Sequence, residues 1–407
     1  MTDAKQISAK EISVIVVGGG PAGLTAAVAL AEAGVPTALI GRRLAAPDNR
    51  TTALLDGSVN ALKALGVWEA CADHAAPLRV MRIVDDTARL WRAPEVKFDA
   101  DEIGLEAFGY NIENRHLVTA LEQKTRDLST LRVIDGEAAA LDVGAREITI
   151  HLKDGTSLSA PLIIGADGRK SLVRDAAGIT MKERHHPQSA LTVCFTHSRP
   201  HRDTSTEFHS SSGPFTLVPL PGLRSSLVFV LDRADVTRIA ELDDAALSSE
   251  IERRSHSILG KITVEKGRGL FPLASGTASA LAANRIALVG EAAHVIPPIG
   301  AQGLNLGLRD AAAIGEMVAS AYRQGADVGA PQLLVRYCDE RRADITTRSA
   351  AVDLLNRSLL SDFLPVQGAR GLGLYLIDRI GPLRRALMRE GVAPSSKQPR
   401  LMRGEAL

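Results

Sequence analysis

Glycines at the beginning of predicted helices are the residues of this chain whose spacing most clearly fits a chemical task. Gly18, Gly20 and Gly23 form a G-x-G-x-x-G pattern directly after an apolar strand, with Pro21 and Ala22 inside it. The first glycine permits a tight turn, the second lets the backbone approach a pyrophosphate, and the third lets the helix pack against the strand. The helix start also offers unpaired N–H groups, so the loop is typical of dinucleotide binding.

This motif departs from its usual form at the end of the second predicted strand. A carboxylate for the adenosine ribose normally follows about twenty residues later, but the sequence ALIGRR places Gly41 there. Either backbone groups hold the ribose together with Arg42 or Arg43, or the adenosine binds more loosely. Arg42 and Arg43 are equally compatible with a role as solvated surface residues.

A second candidate motif, LIIGADGRKSLVR, follows another predicted strand. Gly168 suits a turn that needs a positive φ, and Asp167 is placed to accept hydrogen bonds from ribose or ribityl hydroxyls. The alternative is an Asx turn at the end of the strand, with Arg169, Lys170 and Arg174 as solvated residues.

The third motif, GEAAHVIPPIGAQGLNLGLRD, begins at Gly290 and leads from a strand into a helix. Glu291 could hold polyol hydroxyls, Pro298 stiffens the approach, and Gly300 and Gly303 remove side chains where a flat ligand could lie against the backbone. The helix start presents N–H groups and a positive dipole end, which suits the negative charge of a reduced flavin. We therefore expect the first loop to bind the pyrophosphate of FAD and the third to bind its isoalloxazine ring.

Strands and helices alternate along the chain in the order that such loops require. Predicted strands include Ile12–Val17, Thr37–Ile40, LRVI and REITIHL from Leu131 onward, LIIG and RIALVG. Predicted helices include AGLTAAVALAEAG, TTALLDGSVNALKALGVWEAC and NRHLVTALEQKTRDL. Residues 185–282 alternate like an antiparallel sheet that a polar helix interrupts near 243–259.

The order of the strands predicts how the domains are built. Nucleotide-type strands occur near Ile12, Leu162 and Ile286, and a sheet of different character lies between the last two. We predict an α/β fold with a Rossmann-like FAD-binding domain built from discontinuous segments, an inserted, mainly antiparallel β-sheet substrate domain and C-terminal helices. The predicted segments are 1–75, 110–184 and 283–330 for the FAD-binding domain, 76–109 and 185–282 for the substrate domain, and 331–407 for the helical region.

Composition narrows the class of protein. The 407 residues carry a formal net charge of +1 and 3% aromatic residues, which gives no reason to expect a nucleic acid as partner. Cys71, Cys194 and Cys338 form no CxxC pair, so neither a disulfide framework nor a metal site is expected. The chain start lacks a signal-peptide pattern and no apolar run is long enough to span a bilayer. We expect a cytoplasmic protein, at most peripheral on the inner face of the membrane.

The three motifs together carry a family resemblance. GGGPAG, GADGRKSLVR and GEAAHVIPPIGAQGLNLGLRD occur in the order and spacing of the FAD-dependent aromatic monooxygenases similar to p-hydroxybenzoate hydroxylase, and the chain resembles that family nearly end to end. The stretches PPIGAQGLNLGLRD, YNIENRHLVTAL and DNRTTAL are most similar to the branch that hydroxylates ubiquinone precursors.

The resemblance implies further cofactor contacts. Candidate FAD contacts on this ground are Arg50, Arg115, Gln302, Gly303, Leu304 and Asn305, the last four beside the flavin ring. The family usually has aspartate where this chain has Glu291, whose longer side chain should still reach a ribityl hydroxyl. His294 is interpreted as a packed, hydrogen-bonded histidine rather than a base.

The chemistry that the resemblance implies is carried by the cofactor. NADH or NADPH reduces FAD and leaves, O2 adds at the flavin C4a position, and the terminal oxygen of that hydroperoxide is transferred to an electron-rich aromatic ring. The protein positions the ring and excludes water, so no catalytic acid, base or nucleophile is predicted. Arg169 and Lys170 are the candidate contacts for the phosphates of the nicotinamide cofactor.

The inserted sheet is expected to form a substrate pocket over the flavin. In SGPFTLVPLPG, Phe215, Leu217, Val218 and Leu220 are candidates to line this pocket, together with Pro298. Such an apolar lining suits a small hydrophobic phenolic substrate that carries a prenyl chain. Neighbouring residues of a strand face opposite sides, however, so any one of them could instead fill the core.

The C-terminal stretch FLPVQGARGLGLYLIDRIGPLRRALMRE mixes apolar residues with arginines. Because a polyprenylated substrate resides in a bilayer, this segment could make peripheral contact with a membrane surface. Packing against the rest of the protein is the commoner fate of such helices. Other quinone-biosynthesis proteins are further potential partners.

Other functions stay open from the sequence. A hydroxylase of a soluble aromatic compound, or a prenyl reductase, would use the same fold. A soluble acid would need a buried cation in the pocket, for which Arg224 is the candidate near the sheet. An alternative of another class is a non-catalytic FAD-binding scaffold in a quinone-biosynthesis complex, which the departures at Gly41 and Glu291 keep open.

Overall fold

The computed structural model describes residues 6–7, 12–41, 50–87, 94–210, 212–360, 373, 375–376, 379–392 and 398–407. Arg42 and Arg43, two of the predicted cofactor contacts, lie outside these residues. Within this part of the chain, no helix combines the length and the apolar character that a membrane span requires. No group of three or more His, Cys, Asp or Glu side chains in the same part is placed to hold a metal ion.

A six-stranded, mostly parallel sheet lies at the centre of the larger core. Its strands in spatial order are β20 (Ala282–Ala283), β21 (Ile286–Leu288), β13 (Leu162–Gly165), β2 (Val14–Val17), β3 (Thr37–Ile40) and β9 (Leu131–Ile134). All neighbours are parallel except β20, which runs antiparallel to β21. Strands β2, β3, β13 and β21 are buried along their whole length, which accounts for their runs of apolar residues.

Two long helices pack against each other beside this sheet. Helix α1 (Pro21–Glu32) contacts both α7 (Gln302–Arg323) and α3 (Asn114–Arg126). Every residue of α1 from Gly23 to Ala31 is buried. This burial explains why α1 is rich in alanine, because small side chains let neighbouring elements approach closely.

Residues 51–55 differ from the predicted structure. The sequence predicts one helix over TTALLDGSVNALKALGVWEAC, but Thr51–Leu55 forms strand β4 and helix α2 covers Asp56–Ala64. Strand β4 pairs with β8 (Gly109–Glu113), which also pairs with β5 (Ala75–Pro77). The β-branched residues at positions 51 and 52 suit an extended strand, and this long-range pairing overrides the apparent continuity of the helix.

A nine-stranded sheet forms the second part of the molecule. Its spatial order is β22 (His294–Val295), β19 (Gly269–Ala278), β14 (Met181–His197), β17 (Arg224–Leu231), β16 (Gly213–Leu220), β15 (Thr204–Ser210), β6 (Val80–Asp85) and β7 (Val96–Asp99), and β18 (Ile262–Val264) also pairs with β14. Its pairs are antiparallel except for β15 with β6. Helices α5 (Arg233–Ala240) and α6 (Asp244–Arg254) cover one face of this sheet.

The remaining elements flank these two parts. A four-stranded sheet contains β1 (Gln6–Ile7), β12 (Ser157–Ala160), β11 (Ile148–Leu152) and β10 (Ala138–Val143). The other helices are α4 (Leu172–Ala176), α8 (Pro331–Leu360) and α9 (Gly381–Val392). The predicted fold class, with a discontinuous parallel sheet, a mainly antiparallel sheet and C-terminal helices, is confirmed.

Candidate flavin-binding site

The three glycine-containing motifs meet at one edge of the parallel sheet. Strands β2, β13 and β21 are neighbours and run in the same direction, so the motifs that follow them leave the sheet together. The Ala166 N–H donates to the Val17 carbonyl (2.7 Å), and the Val289 N–H donates to the Gly165 carbonyl (2.9 Å). The carboxyl edge of a parallel sheet is where α/β proteins bind their ligands.

The three motif glycines of the first loop differ in what surrounds them. Gly18 has a φ of +126°, and a Cβ there would lie 2.1 Å from the Ala166 carbonyl oxygen. A Cβ at Gly23 would lie 2.0 Å from the Gly18 carbonyl oxygen, so this glycine lets α1 pack against the loop. A Cβ at Gly20 would meet no protein atom within 4 Å. Packing within the protein therefore explains Gly18 and Gly23, whereas Gly20 leaves space outside the helix start.

The departure at Gly41 has a physical explanation. A Cβ on Gly41 would lie 2.6 Å from the Gly19 nitrogen, so no side chain fits where the ribose carboxylate is usual. Beside these two glycines is a cavity of about 360 Å³, whose lining includes Leu39, Leu131 and Val133. Its position next to the first loop suits the adenosine end of a dinucleotide.

The Asp167 side chain is tied to the start of α4. Its carboxylate accepts hydrogen bonds from the Ser171 hydroxyl (2.5 Å) and the Val173 N–H (3.2 Å), four and six residues further along the chain. These are not the bonds of an Asx turn, in which the donor lies two residues after the aspartate. Burial raises the pKa of Asp167, and these hydrogen bonds offset that effect only in part. Gly168 has a φ of +80° and open space at its Cβ position, so the predicted cofactor contact of this turn has room but stays a prediction.

Arg174 is buried rather than solvated, contrary to the alternative drawn from the sequence. Its guanidinium donates to the Arg169 carbonyl (2.9 Å) and to the Ala292 carbonyl (3.3 Å). It thereby joins the second motif to the third. The Glu291 carboxylate lies on the outer side of this junction, 56% exposed and 3.7 Å from the Arg169 guanidinium.

The third motif presents open backbone at the start of α7. The residue before the helix, Ala301, has a left-handed conformation with a φ of +55°, and no side chain caps the helix. A Cβ at Gly300 would meet no protein atom within 4 Å, and a Cβ at Gly303 would meet only the Ile296 carbonyl oxygen, at 3.9 Å. Pro298 is exposed beside them. The N–H groups and positive end of α7 thus face space that a ligand can occupy.

The side chains of Asn305 and Gln302 brace this loop. Asn305 is buried and makes four hydrogen bonds, to the Leu55 N–H (2.8 Å), the Ser58 hydroxyl (2.7 Å) and the carbonyls of Ala53 (2.8 Å) and Ala301 (2.6 Å). These bonds use the full capacity of its amide. The Asn305 side chain therefore braces the loop, and the flavin contact predicted for this residue stays a prediction.

Gln302 is held in a similar way. Its amide donates to the Gly300 carbonyl (2.8 Å) and accepts from Arg348 (2.7 Å). The next residue but one, Leu304, is partly buried against the larger core. The side chains of Gln302 and Asn305 thus fix the backbone of this loop, and the flavin contacts predicted for residues 302–305 stay predictions.

A buried network of charges supports the third motif from behind. His294 lies 2.6 Å from the Asp310 carboxylate, which also accepts from the Gly290 N–H (3.1 Å) and from Arg341 (2.8 Å). Asp344 accepts from Arg341 (2.7 Å), and also from Arg309 and Arg348. The interpretation of His294 as a packed, hydrogen-bonded histidine agrees with this geometry.

The basic neighbours decide the ionisation of both carboxylates. Burial alone would raise the pKa of Asp310, but His294 and Arg341 hold it below its usual value. Burial would likewise raise the pKa of Asp344, yet Arg309 and Arg341 lower it well below that value. Sequence reasoning missed this network because its side chains lie on helices α7 and α8 and on strand β22. Each arginine taken alone has the pattern of a surface residue.

Arg50 and Arg115 lie near the junction of the two large sheets. The Arg50 guanidinium lies over the Phe271 ring, 5.6 Å from its centroid. The Arg115 guanidinium is 44% exposed and forms an ion pair of 2.8 Å with Glu113. Their predicted contacts with FAD stay predictions.

The candidate substrate residues of β16 divide between two faces. Phe215 and Leu217 belong to the core under α5 and α6, together with Ile239 and Leu247. Their predicted place in the pocket is therefore wrong, because this face of the sheet is covered by helices.

The other face of β16 lies toward strands β4 and β8. Val218 pairs with Ser226 of β17, and the Ser226 hydroxyl contacts the hydroxyl of Thr51 (2.8 Å) and the amide of Asn111 (3.2 Å). Those two residues belong to β4 and β8. Leu220 has the same alternation as Val218, so these two remain pocket candidates.

Comparisons with known proteins agree with an FAD-binding site at this edge of the sheet. Residues 11–349 match the family model described as FAD binding domain. The chain is 35% identical over 409 residues to ubiquinone hydroxylase UbiL of Rhodospirillum rubrum, covering 98% of this chain and 94% of that protein. It is 32% identical over 386 residues to 3-demethoxyubiquinol 3-hydroxylase of Escherichia coli, covering 92% and 97%. The solved structure of p-nitrophenol 4-monooxygenase PnpA from Pseudomonas putida matches with a TM-score of 0.77 at 19% identity, over 95% of this chain and 97% of that one.

The fold and the paired helix starts define a dinucleotide-binding flavoprotein. The chain belongs to the FAD-binding family, and its resemblance to the FAD-dependent aromatic monooxygenases, in the branch of the ubiquinone hydroxylases, is confirmed. FAD also fits the residues present. The open Cβ directions at Gly20 and Gly303 and the cavity beside Gly41 leave room along one edge of the sheet.

Proposed function

We propose that this protein is an FAD-dependent monooxygenase that hydroxylates the aromatic ring of a polyprenylated phenol in ubiquinone biosynthesis. The observation that carries this proposal is the convergence of two uncapped helix starts, those of α1 and α7, at one edge of the parallel sheet. Relatives of 35% and 32% identity that match nearly end to end bear the names of ubiquinone hydroxylases, which supports the choice of substrate.

The chain's own residues would divide the cofactor between them. The first loop would hold the pyrophosphate, the cavity beside Gly41 the adenosine, and the backbone from Gly300 to Asn305 the flavin ring. Bound there, FAD would supply hydride transfer from NADH or NADPH and the insertion of one oxygen atom of O2 into the substrate ring, with the other oxygen atom leaving as water. The start of α7 would favour negative charge on the ring beside it, by about 0.3–2 kcal/mol.

The substrate side of the site favours a neutral, apolar compound. Arg224, the cation that a soluble acid would need, donates two hydrogen bonds of 2.7 Å to Glu265 and one of 3.3 Å to Glu113. Two carboxylates thus already balance the charge of this guanidinium, which weakens its attraction for a third. This pairing disfavours the soluble-acid alternative, and Val218 and Leu220 suit a hydrophobic phenol.

One of the two departures that kept the scaffold alternative open, Gly41, has a structural explanation. Gly41 is required by its approach to Gly19, so the missing carboxylate does not point to decay of the site. We further propose peripheral contact with a membrane, where a polyprenylated substrate resides, and contact with other proteins of the same pathway.

Two measurements on the purified protein test the proposal. Absorbance before and after denaturation should show a bound flavin that is released as FAD. Oxidation of NADH or NADPH, followed with and without a short-chain prenylated phenol, should be stimulated by the phenol. Protein that binds FAD but oxidises nicotinamide at the same rate with and without phenol would support the scaffold alternative.

A further inference from the structure

The cavity beside Gly41 has both apolar and polar lining residues. Its apolar members include Val133 of β9, which is 49% exposed. Among the lining residues that the structure describes, the polar ones all belong to α3, and they are Glu122, Thr125 and Arg126. An occupant of this cavity therefore meets apolar surface from the sheet and polar groups from the helix.

The Glu122 carboxylate is available to such an occupant. Glu122 is partly buried, and its carboxylate makes no hydrogen bond or ion pair with the described part of the chain. The Thr125 hydroxyl, by contrast, donates to the Glu122 carbonyl (2.7 Å), and the Arg126 guanidinium has donors only. The two oxygens of a carboxylate can accept from two neighbouring hydroxyls, which is the arrangement that a ribose presents.

The usual position of a ribose carboxylate cannot serve in this chain. A Cβ at Gly41 would lie 2.6 Å from the Gly19 nitrogen, so no side chain fits there. The Gly41 N–H is also engaged, because it donates to the Ile134 carbonyl (3.2 Å). Glu122 lines the same cavity as Gly41. A carboxylate thus reaches this cavity from α3 instead of from the end of β3.

We propose that Glu122 binds the ribose hydroxyls in the adenosine half of FAD, in place of the acidic residue that usually follows the second strand. The cavity of about 360 Å³ is within the size range of small-molecule sites, and its apolar members, with Val133, suit an adenine ring. The inference rests on the proposed function, since that function assigns this cavity to FAD. It adds the residue by which the protein recognises the adenosine.

The test is a binding cycle that removes the carboxylate and the hydroxyls separately. Full-length protein freed of flavin is titrated by calorimetry with ADP and with 2′,3′-dideoxy-ADP, which lacks both ribose hydroxyls. The parent should bind ADP about tenfold more tightly than the dideoxy compound, because hydrogen bonds to a charged group are lost. Glu122→Ala should bind the two nucleotides with nearly equal affinity, and its affinity for FAD should be about tenfold lower than that of the parent.

Asp127→Ala is the matched control. It removes one negative charge from an exposed residue at the same end of α3, and it should keep the parental preference for ADP. Urea unfolding of cofactor-free Glu122→Ala should match the parent, because its carboxylate has no partner to lose in the described part of the chain.

The outcomes separate this inference from the proposed function. Equal affinity of the parent for ADP and the dideoxy compound, or a Glu122→Ala protein that keeps the parental preference, would overturn the role of Glu122. Either result would leave FAD uptake and phenol-stimulated nicotinamide oxidation by the parent untouched. A parent protein that binds neither FAD nor ADP would instead contradict the proposed function, and the role of Glu122 would fall with it.

Discussion

A substitution at Gly20 can distinguish a role in cofactor binding from a role in the stability of the protein. Its φ of −78° is compatible with alanine, and a Cβ there would meet no protein atom within 4 Å. We predict that Gly20→Ala keeps the free energy of unfolding of the cofactor-free protein within about 1 kcal/mol. The added methyl group would occupy space needed by the pyrophosphate, so FAD affinity should fall by about tenfold or more. Fluorescence titration with FAD and urea unfolding measure the two effects.

Gly23→Ala provides the contrast. Its Cβ would lie 2.0 Å from the Gly18 carbonyl oxygen, so this variant should lose about 3 kcal/mol of stability even without cofactor. Similar stability losses in both variants would contradict the assignment of Gly20 to the ligand.

Arg348 illustrates what the sequence could not predict. The glycine motifs could be interpreted because each glycine has a local backbone task, whereas the partners of Arg348 are set by the tertiary fold. Its guanidinium donates to Asp344 (2.8 Å), Gln302 (2.7 Å) and the Glu390 carbonyl (3.2 Å), and the latter two lie 46 and 42 residues away along the chain. No sequence pattern within α8 indicates that Arg348 contacts residues so far away along the chain.

We predict that Arg348→Lys loosens the loop that faces the flavin. An ammonium cannot serve all three acceptors at once, so the free energy of unfolding should fall by about 1–3 kcal/mol and FAD affinity several-fold. Arg336→Lys, at an arginine of the same helix that is 60% exposed, should change neither. An Arg348→Lys protein with parental FAD affinity would show that the loop does not depend on this contact.

Strand β16 shows how far pattern alone predicts an element. Alternation in SGPFTLVPLPG predicts that successive side chains face opposite sides, but not which side faces the flavin. That choice follows from α5 and α6, which cover the face of Phe215 and Leu217. In the same way, β4 could not be separated from α2 without knowing that β8 pairs with it.

The two faces of β16 should respond differently to mutation. Phe215→Ala should cost about 3–5 kcal/mol of stability and leave the KM for the phenol nearly unchanged. Val218→Phe should change stability less and raise the KM for the phenol several-fold, because the Val218 side chain lies on the face of β16 that is directed toward strands β4 and β8. Urea unfolding and steady-state kinetics on both variants give the comparison. A shift in KM confined to Phe215→Ala would contradict the orientation of the strand.

Buried carboxylates govern how the whole molecule responds to acid. The pKa values of Asp310 and Asp344 are lower in the folded protein than in the unfolded chain, because basic neighbours outweigh burial. Their contribution to stability is therefore complete above the unfolded pKa of about 3.9 and is lost as the pH falls below it. We predict that the free energy of unfolding decreases steeply below about pH 4.

Asp344→Asn tests the source of that dependence. This variant should be less stable than the parent at neutral pH, since three arginines lose a shared partner, and its stability should vary less with acid. Asp175→Asn, at a carboxylate that is 69% exposed, serves as control and should follow the parental profile. A parental acid dependence in Asp344→Asn would assign the effect to other groups.

The sequence allowed the prediction that strands from separate segments of the chain form one sheet. The spacing of the three motifs predicted that distant segments meet at one edge, and they do. The domain boundaries at residues 75, 110, 184 and 283 stay predictions. Strands that join one part to the other were not predictable, because β22 lies within the third motif yet pairs with β19 in the large sheet.

The most direct test of the account follows the oxygen atom. FAD-loaded protein is supplied with NADPH or NADH, a short-chain prenylated phenol and isotopically labelled dioxygen, and the product is analysed by mass spectrometry. The account predicts one labelled oxygen in the ring of each product molecule, with nicotinamide oxidised in matching amount. Nicotinamide oxidation that yields only hydrogen peroxide, or a product whose oxygen derives from water, would contradict it.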